Sequence, residues 1–369
     1  MAAQNGAGTK SGKPTSAVSY TVFDGLQWAS RRGLARFAQQ LHLHLEAAGW
    51  HERPTTHPKW KSGVGRILIS ELLEPLQQLS LRPQVAFYPH NVLPAWLPHA
   101  SLRVLVLHDV LFLMDENRKN AGNHYRRLKL GHSLRHADLI LTVSEASRAA
   151  IRQLLDRELE VLVVPNSLAE PFARLEPSAK HYPDAPPTIL HFGGRAPSKN
   201  TRALIEAVAK LTQSGTEVCL EVAAMSGQAA LIDRWRTVSG LPERVVRILP
   251  LLSDAELIDA YRRADLHAMP SLGEGFGIPV IEAARTGAVN VLTPLDVFHE
   301  MMGDAAIYST GFDADSIASA LRTGLTVDRA SLETRAFVRS EKYVFAAVHR
   351  VYAGPALGHI AQLSCARVS

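Results

Sequence analysis

The segment from residue 271 to residue 287, SLGEGFGIPVIEAARTG, carries two carboxylates, Glu274 and Glu282, eight positions apart. Pro279 suits the first position of a helix, because its missing N–H would have no partner there. Gly287 suits the left-handed cap that ends a helix. The pattern predicts Glu274 in a loop and Glu282 about one turn into a short helix. Because side chains lean toward a helix N-terminus, both carboxylates are expected to face one pocket.

The N-terminus of that helix offers free N–H groups and a positive dipole, which suit a phosphate. Carboxylates beside a phosphate would repel it unless they bind another group, and ionised carboxylates are strong acceptors for sugar and ribose hydroxyls. The combination favours a nucleotide-sugar site, in which the turn Gly275-Phe276-Gly277 would contact the donor. The alternative is an ordinary loop and helix with two surface glutamates.

A second candidate loop follows the predicted strand 188–192 and reads GGRAPSKNTRALIEA. Its glycines, which include Gly194, let the backbone turn sharply. Arg195 and Lys199 then stand at the mouth of the next helix. A nucleotide-sugar reaction releases a diphosphate, and fixed cations stabilise the charge that grows on the leaving oxygen. The alternative is a pair of solvated loop cations.

The glutamate segment resembles the Glu-x7-Glu motif of retaining glycosyltransferases with the GT-B fold, in particular family 4. The resemblance covers residues 18–352 and implies an α/β fold with two doubly wound Rossmann-like domains facing a central cleft. In that family a similar Gly-Arg…Lys-Asn loop grips the donor diphosphate. The loop around Gly33 is similar to the glycine-containing loop that faces the phosphates from the N-terminal domain in that family. An ordinary loop-to-helix junction is the alternative there.

His108-Asp109 ends the predicted strand 104–107 and is similar to a His-Asp pair of the same family. The resemblance places His108 beside the donor sugar. A histidine there can hydrogen-bond a sugar hydroxyl, steady positive charge at the anomeric carbon or act in proton transfer. The resemblance also implies front-face attack, with the acceptor proton passing to the departing phosphate. A purely structural histidine is the alternative.

Strand and helix signals alternate along the chain, as in open parallel sheets with helices on both faces. We expect a disordered tail at residues 1–17 and an N-terminal acceptor domain at residues 18–182. A proline-containing linker precedes a donor domain at residues 188–335. From the resemblance, residues 336–369 are expected to return to the N-terminal domain. Ligands of such sheets bind at the carboxyl ends of the strands, where each candidate residue lies.

The chain has 369 residues, a net charge of +5 and two cysteines. Its cysteine content fits a reducing compartment, and its sequence shows neither a signal peptide nor a membrane-spanning run. No basic block with interleaved aromatics occurs, so a nucleic-acid partner is not expected. The positive charge, together with the lipid-linked acceptors common in the resembling family, predicts peripheral contact with an anionic membrane. A solvated basic surface without a partner is the alternative. The candidate contacts are Arg31, Arg32, Arg36, Arg126, Arg127, Lys129, Trp28 and Trp60.

The resemblance implies a cytoplasmic retaining glycosyltransferase that moves a mannose-like hexose, with a guanosine donor as the leading expectation, because the His-Asp pair and the EGFG segment are similar to those of bacterial polysaccharide mannosyltransferases. The expected acceptor is a glycan or a lipid-linked glycan of cell-surface polysaccharide synthesis. Cationic side chains would serve the diphosphate, so no metal or other cofactor is expected. A catalytically silent sugar-binding or scaffold protein on the same fold is the main alternative. A Rossmann oxidoreductase is disfavoured, because the loop after the first strand lacks the G-x-G-x-x-G spacing.

Overall fold

A computed structural model describes residues 18–23, 33–56, 63–98, 101–113, 121–176, 185–194, 196–224 and 227–368. Within these ranges the chain forms two six-stranded sheets. Every pair of neighbouring strands is parallel, as the alternating pattern predicts. Parallel strands need crossover connections, which the helices supply. The α/β fold expected from the sequence is therefore confirmed.

The first sheet has the order β2-β1-β3-β4-β5-β6. Its strands are β1 (Ser19–Val22), β2 (His51–Glu52), β3 (Val85–Tyr88), β4 (Leu102–Val106), β5 (Leu139–Thr142) and β6 (Val161–Val163). The helices of this half are α1 (Gly33–Ala47), α2 (Gly63–Leu68), α3 (Glu74–Leu81), α4 (Ala121–His136), α5 (Glu145–Arg152) and α6 (Glu170–Ala173). A π-helical turn, Ile69–Leu73, joins α2 to α3, and a 3-10 turn, Leu111–Leu113, follows β4.

The second sheet has the order β12-β11-β10-β7-β8-β9. Its strands are β7 (Thr188–Gly193), β8 (Cys219–Ala224), β9 (Val246–Leu249), β10 (Leu266–Met269), β11 (Val289–Leu292) and β12 (Ile307–Tyr308). Its helices are α7 (Thr201–Gln213), α8 (Ala229–Val238), α9 (Asp254–Arg263), α10 (Ile278–Thr286), α11 (Asp296–Met302), α12 (Ala314–Thr326) and α13 (Arg329–Ser340). Short 3-10 turns lie at Pro197–Lys199, Glu243–Val245 and Glu341–Tyr343.

The C-terminal segment packs against the first half. It contains α14 (Phe345–Val351), a π-helical turn (Tyr352–Ala356) and α15 (Leu357–Val368). The ring of His44 in α1 stacks between Phe345 and Tyr352, with centroids 4.2 Å and 4.3 Å away. Arg367 at the end of α15 forms an ion pair with Asp138, next to β5. The segment thus crosses from the second sheet back to the first.

Local capping explains several helix boundaries. Ser253 and Glu256 cap each other's backbone N–H groups at the start of α9, which confirms the predicted capping box. Asp313 accepts the N–H of Ser316 at 2.9 Å and starts α12, so its carboxylate has the structural role expected from the sequence. The prediction for α10 was one residue late, because the helix begins at Ile278 and Pro279 is its second residue.

One apolar cluster joins the two halves of the molecule. It runs from Tyr20 and Phe87 beside the first sheet to Tyr261 and Ile281 in the second half. Phe172 meets Tyr261 edge to face at a centroid distance of 5.9 Å. This shared core sets the spacing of the loops that face each other at the carboxyl ends of the strands.

Candidate active site

Lys199 and Glu274 meet at the loops that follow β7 and β10. The Lys199 ammonium donates to Glu274 Oε1 at 2.7 Å, and the Ser271 hydroxyl donates to the same oxygen at 2.7 Å. The backbone N–H of Leu272 bonds the Ser198 carbonyl at 2.8 Å, which ties the two loops together. The structure therefore brings the predicted cation and the predicted loop carboxylate into direct contact. Both of these contacts with described residues are made by Oε1 of Glu274, not by its second carboxylate oxygen.

Gly275 lies directly against the first half of the molecule. A Cβ at this position would stand 2.7 Å from the His108 carbonyl oxygen and 2.9 Å from the Asp109 Cβ. The Gly275 carbonyl accepts the hydroxyls of Ser144 at 2.7 Å and Ser147 at 3.1 Å. Any side chain at residue 275 would push the two halves apart, so the approach requires glycine.

His108 is buried at this junction. Its ring meets Phe37 of α1 edge to face at 4.7 Å, and its backbone N–H donates to Asn91 at 3.0 Å. Its Nε2 is buried without a hydrogen-bond partner among the described residues. Burial, with the charge of Arg126 as a second cause, lowers the pKa of His108 to about 3. The ring is therefore neutral at physiological pH.

Glu282 is buried in α10 and has partners from both halves. The Arg36 guanidinium of α1 donates to Oε1 at 2.8 Å, and the Tyr261 hydroxyl of α9 donates to Oε2 at 3.0 Å. Burial raises the pKa of Glu282, while the charge and hydrogen bonds of Arg36 and the hydrogen bond of Tyr261 act in the opposite direction. Both carboxylate oxygens of Glu282 are thus engaged. Glu282 contacts Arg36 and Tyr261, whereas Glu274 contacts Lys199 and Ser271.

The loop after β7 is shaped by a buried histidine. The Nδ1 atom of His191 lies 2.9 Å from the Ala268 carbonyl oxygen, and its Nε2 atom lies 3.0 Å from the Thr201 hydroxyl oxygen. The Thr201 hydroxyl also accepts the Gly194 N–H at 3.0 Å. Lys199 ends the 3-10 turn that follows, while Arg195 lies outside the described residues. Gly194 and Lys199 are therefore held at the start of α7.

Three further residues expected at the donor lie in or beside helices α10 and α1. Phe276 is buried edge to face against Tyr343 at 5.4 Å. Gly277 caps α10 with a φ of 117°, which favours glycine. Gly33 is the first residue of α1, the helix that carries Arg36 and Phe37. Within the described ranges, no group of three or more His, Cys, Asp or Glu residues could hold a metal ion.

Comparisons with known proteins agree with this geometry. Residues 186–326 match the family described as "Glycosyl transferases group 1". O-antigen chain mannosyltransferase B of Escherichia coli is 29% identical over 332 residues, which cover 82% of this chain and 86% of that protein. Sucrose-phosphate synthase from Thermosynechococcus elongatus superposes with a TM-score of 0.74 at 16% identity, over 95% of this chain and 99% of that one. WaaG, a glycosyltransferase involved in lipopolysaccharide biosynthesis, superposes with a TM-score of 0.68 at 16% identity, over 91% and 98%.

The protein is a glycosyltransferase with the GT-B fold. The expected resemblance and the enzyme class are confirmed, and the oxidoreductase and scaffold alternatives are set aside. The two superpositions support the fold alone, because each of these structures is only 16% identical in sequence to this glycosyltransferase.

Sequence reasoning missed three partners of the glutamates in this glycosyltransferase. Ser271 stands only three positions before Glu274, and its hydroxyl donates to the Glu274 carboxylate. Tyr261 lies 21 positions before Glu282 on another helix, and no motif marks it. Arg36 was expected at a membrane surface. The structure instead places its guanidinium on Glu282, with the Arg36 side chain 28% exposed. Arg31, Arg32, Trp28 and Trp60 lie outside the described residues.

Proposed function

We propose that the protein is a retaining mannosyltransferase that uses a guanosine diphosphate mannose donor. The observation that carries the proposal is the contact between Lys199 and Glu274, at a loop whose Gly275 abuts His108. A cation, a sugar-binding carboxylate and a neutral histidine from the other half are the groups that such a transfer needs.

Lys199 would serve the leaving diphosphate. During transfer, the bond between the anomeric carbon and the phosphate oxygen breaks, and charge grows on that oxygen. The Lys199 ammonium would meet this charge, with Arg195 as a second cation from the same loop. The acceptor hydroxyl would form the new bond on the same face of the sugar, which retains the configuration, and its proton would pass to the departing phosphate. Cations in these positions make a metal ion unnecessary.

His108 would hold a sugar hydroxyl as a neutral ring. A pKa of about 3 makes the imidazole a weak base, so proton abstraction from the acceptor is disfavoured. The buried Nε2 without a partner supports the hydrogen-bonding role instead. A hydrogen bond to a buried polar atom is worth most where water is excluded.

Glu282 would accept the ribose hydroxyls of the donor. Tyr261 holds one carboxylate oxygen and Arg36 holds the other. Ribose binding at Oε1 would therefore displace the Arg36 guanidinium from its present position. Donor binding and the contact between the two halves are coupled through this one oxygen.

The name of the Escherichia coli relative supports the choice of sugar and pathway. That protein is an O-antigen chain mannosyltransferase and aligns with 82% of this chain. We accordingly propose a growing lipid-linked glycan of O-antigen type as the acceptor. The enzyme would then work beside a membrane that carries its acceptor. No helix among the described residues is long and apolar enough to cross a bilayer.

A donor panel tests the proposal. Purified wild-type protein and the Glu274→Gln variant are incubated with guanosine and uridine diphosphate sugars, and released nucleotide is measured. We expect turnover with the guanosine diphosphate mannose donor and its loss in the variant. Equal turnover in wild type and variant, or use of uridine sugars alone, would refute the proposed donor and the assigned carboxylate.

A further inference from the structure

The N-terminal end of helix α5 contacts the second half of the molecule. Ser144 is the N-cap of this helix, and Ser147 lies three positions later on the same side of the first turn. The Ser144 hydroxyl donates to the Gly275 carbonyl at 2.7 Å, and the Ser147 hydroxyl contacts the same carbonyl at 3.1 Å. Gly275 directly follows Glu274 in the loop after β10. The two serines, which we call the serine clamp, therefore hold the loop that carries Glu274.

Ser147 also contacts the backbone of His108 in the first half. Its hydroxyl donates to the His108 carbonyl at 2.9 Å. A hydroxyl has one proton, so the carbonyls of His108 and Gly275 share this donor. The backbone N–H of His108 is held separately, by the side chain of Asn91 at 3.0 Å. Ser147 therefore joins the backbone of His108 to the backbone of the residue that follows Glu274.

Both serines of the clamp are shielded from water. Ser144 is fully buried, and Ser147 is 5% exposed. The Ser144 hydroxyl donates to Gly275 and at the same time accepts the Ser147 N–H at 3.0 Å. Loss of a donor from a buried carbonyl is costly, because water cannot readily take the place of that donor. The contacts of the serine clamp are therefore expected to fix the distance between the groups that they join.

Glu300 of α11 supports the same end of α5. Its Oε1 accepts the Glu145 N–H at 2.9 Å, and its Oε2 accepts the Ala146 N–H at 3.2 Å. The first N–H groups of a helix have no partner within the helix, and the helix dipole favours a carboxylate beside them. Because Ser144 accepts the Ser147 N–H, the first three N–H groups of α5 all have partners. The second half of the molecule thus orients the helix end that carries the serine clamp.

Helix capping does not account for the Ser147 hydroxyl. The cap of α5 consists of the Ser144 side chain and the Glu300 carboxylate. The Ser147 hydroxyl accepts none of the free N–H groups of the helix, and its two partners are the carbonyls of His108 and Gly275. These carbonyls belong to the two segments that carry the histidine and the carboxylate assigned to the sugar. The placement of the hydroxyl therefore favours a role in the geometry of the site.

We propose that Ser147, together with Ser144, is a positioning residue for sugar transfer and sets the spacing between His108 and Glu274. His108 belongs to the first half and Glu274 to the second, so their relative position depends on contacts between the halves. Among the described contacts, neither serine hydroxyl bonds the His108 ring or the Glu274 carboxylate, so the serines act through backbone position alone. The proposal rests on the proposed function, which assigns both groups to the donor.

Matched serine variants of the full chain test the proposal. Ser147→Ala removes the shared donor, and Ser147→Thr keeps a hydroxyl at that position. Ser253→Ala is the control, because Ser253 caps α9 as Ser144 caps α5 but lies exposed in the second half. Steady-state transfer gives kcat, titration gives the affinity for free nucleotide, and thermal unfolding confirms that each variant is folded at the assay temperature.

We expect kcat of Ser147→Ala to fall about tenfold or more, because small displacements of reacting groups have large kinetic effects. The affinity for free nucleotide should stay unchanged, since the nucleotide is assigned to the second half. Ser147→Thr should restore most of the lost turnover, and Ser253→Ala should keep the kcat of wild type. Unchanged kcat in Ser147→Ala, or an equal loss in Ser253→Ala, would overturn the proposal.

A double variant separates positioning from general stabilisation. If Ser147 acts by placing His108 against Glu274, its loss matters little once the His108 ring is absent. We therefore expect Ser147→Ala to change kcat of the His108→Ala variant by less than about twofold, although it lowers kcat of wild type about tenfold. Equal fold-losses in the two backgrounds would show independent effects and contradict a positioning role.

Two further results distinguish failure of this proposal from failure of the proposed function. Turnover of a uridine sugar but not of the mannose donor would refute the proposed donor, and the serine variants would then be compared with the active sugar. Hydrogen–deuterium exchange of residues 271–277 needs no turnover. Exchange there should be faster in Ser147→Ala than in wild type and Ser253→Ala. Equal exchange in all three proteins would show that the serine clamp does not hold the loop.

Discussion

Arg36 and Glu282 are 246 positions apart in the chain, and their side chains meet at 2.8 Å across the two halves of the molecule. Glu282 is the carboxylate that we assign to the donor ribose, while Arg36 belongs to the first helix. Under that assignment, the ion pair would link the contact between the two halves to nucleotide binding. Phe37, the next residue of α1, contacts His108. One turn of α1 thus touches both Glu282 and His108.

Substitution Arg36→Ala should reduce stability most at high pH. Burial holds the pKa of Glu282 above its usual range, and Arg36 opposes that shift. Without Arg36 the pKa of Glu282 in the folded protein rises further. The Arg36→Ala variant therefore keeps its full stability below about pH 4.5, the usual pKa of Glu, and loses stability as the pH rises through the raised pKa of Glu282. We expect the free energy of unfolding to fall by about 2 kcal/mol at pH 8. This is less than the cost of breaking a fully buried ion pair, because Arg36 is partly exposed. Urea unfolding at pH 5 and pH 8 measures it.

The double variant Arg36→Ala with Glu282→Gln is the control for that prediction. It lacks the ionisable carboxylate, so its stability should change with pH less than that of Arg36→Ala. An identical pH dependence in the single and double variants would show that Glu282 is not the group that titrates.

Substitution Gly275→Ala should lower turnover by forcing the halves apart. The added methyl would stand 2.7 Å from the His108 carbonyl oxygen, and backbone atoms cannot move aside cheaply. We expect turnover to fall about tenfold or more, because a shift of about 1 Å at the reacting groups has large kinetic effects. Steady-state transfer kinetics measure it. Gly358→Ala, where nothing lies within 4 Å of the added Cβ, should leave turnover unchanged. Equal kinetics in both variants would mean that close approach at residue 275 is not needed for transfer.

Substitution Lys199→Ala should reduce kcat more than nucleotide affinity. The charge that Lys199 meets is largest in the transition state, so we expect a fall of about 100-fold in kcat. Lys210→Ala is the matched control, because Lys210 pairs with Asp315 at 2.8 Å on the surface of the same half. Steady-state kinetics and nucleotide titration separate the two effects. A rise in KM without a change in kcat would assign Lys199 to ground-state binding alone.

Substitution His108→Ala should remove most turnover and leave binding of the free nucleotide nearly unchanged. His108 comes from the first half, whereas the nucleotide is assigned to the second. Because its pKa is about 3, the ring stays neutral, and turnover should show no dependence on this residue's ionisation between pH 5.5 and 8. The control is His136→Ala, because His136 is exposed on α4. The dependence of kcat on pH should be the same for wild type and this control. An inflection near pH 6.5 that vanishes only in His108→Ala would contradict a neutral ring.

The sequence predicted those features that depend on neighbours along the chain. Local chemistry determines the capping box at Ser253, the left-handed cap at Gly287 and the glycine turn before α10. The start of α10 was misplaced by one residue, because Gly277 with its positive φ forms the cap. The two-residue strands β2 and β12 gave no detectable pattern, since periodicity needs at least about four residues.

The partners of the two glutamates could be only partly foreseen. Lys199 and Glu274 were both predicted at the donor site, because each follows a predicted strand. The structure shows that these strands, β7 and β10, pair in one sheet. The contacts of Glu282 with Tyr261 and Arg36 depend on how α9, α10 and α1 pack. Such contacts between distant segments leave no spacing in the sequence. They arise only when the two halves close around the shared core.

The anomeric configuration of the product tests the central proposal most directly. Wild-type protein is incubated with guanosine diphosphate α-mannose and acceptor in excess EDTA, and the first product is followed by proton NMR, with Glu274→Gln as the inactive control. The account predicts an α-mannoside formed at the same rate with and without EDTA. A β-linked product, activity only with added Mg²⁺ or Mn²⁺, or an inert mannose donor beside an active uridine sugar would contradict it.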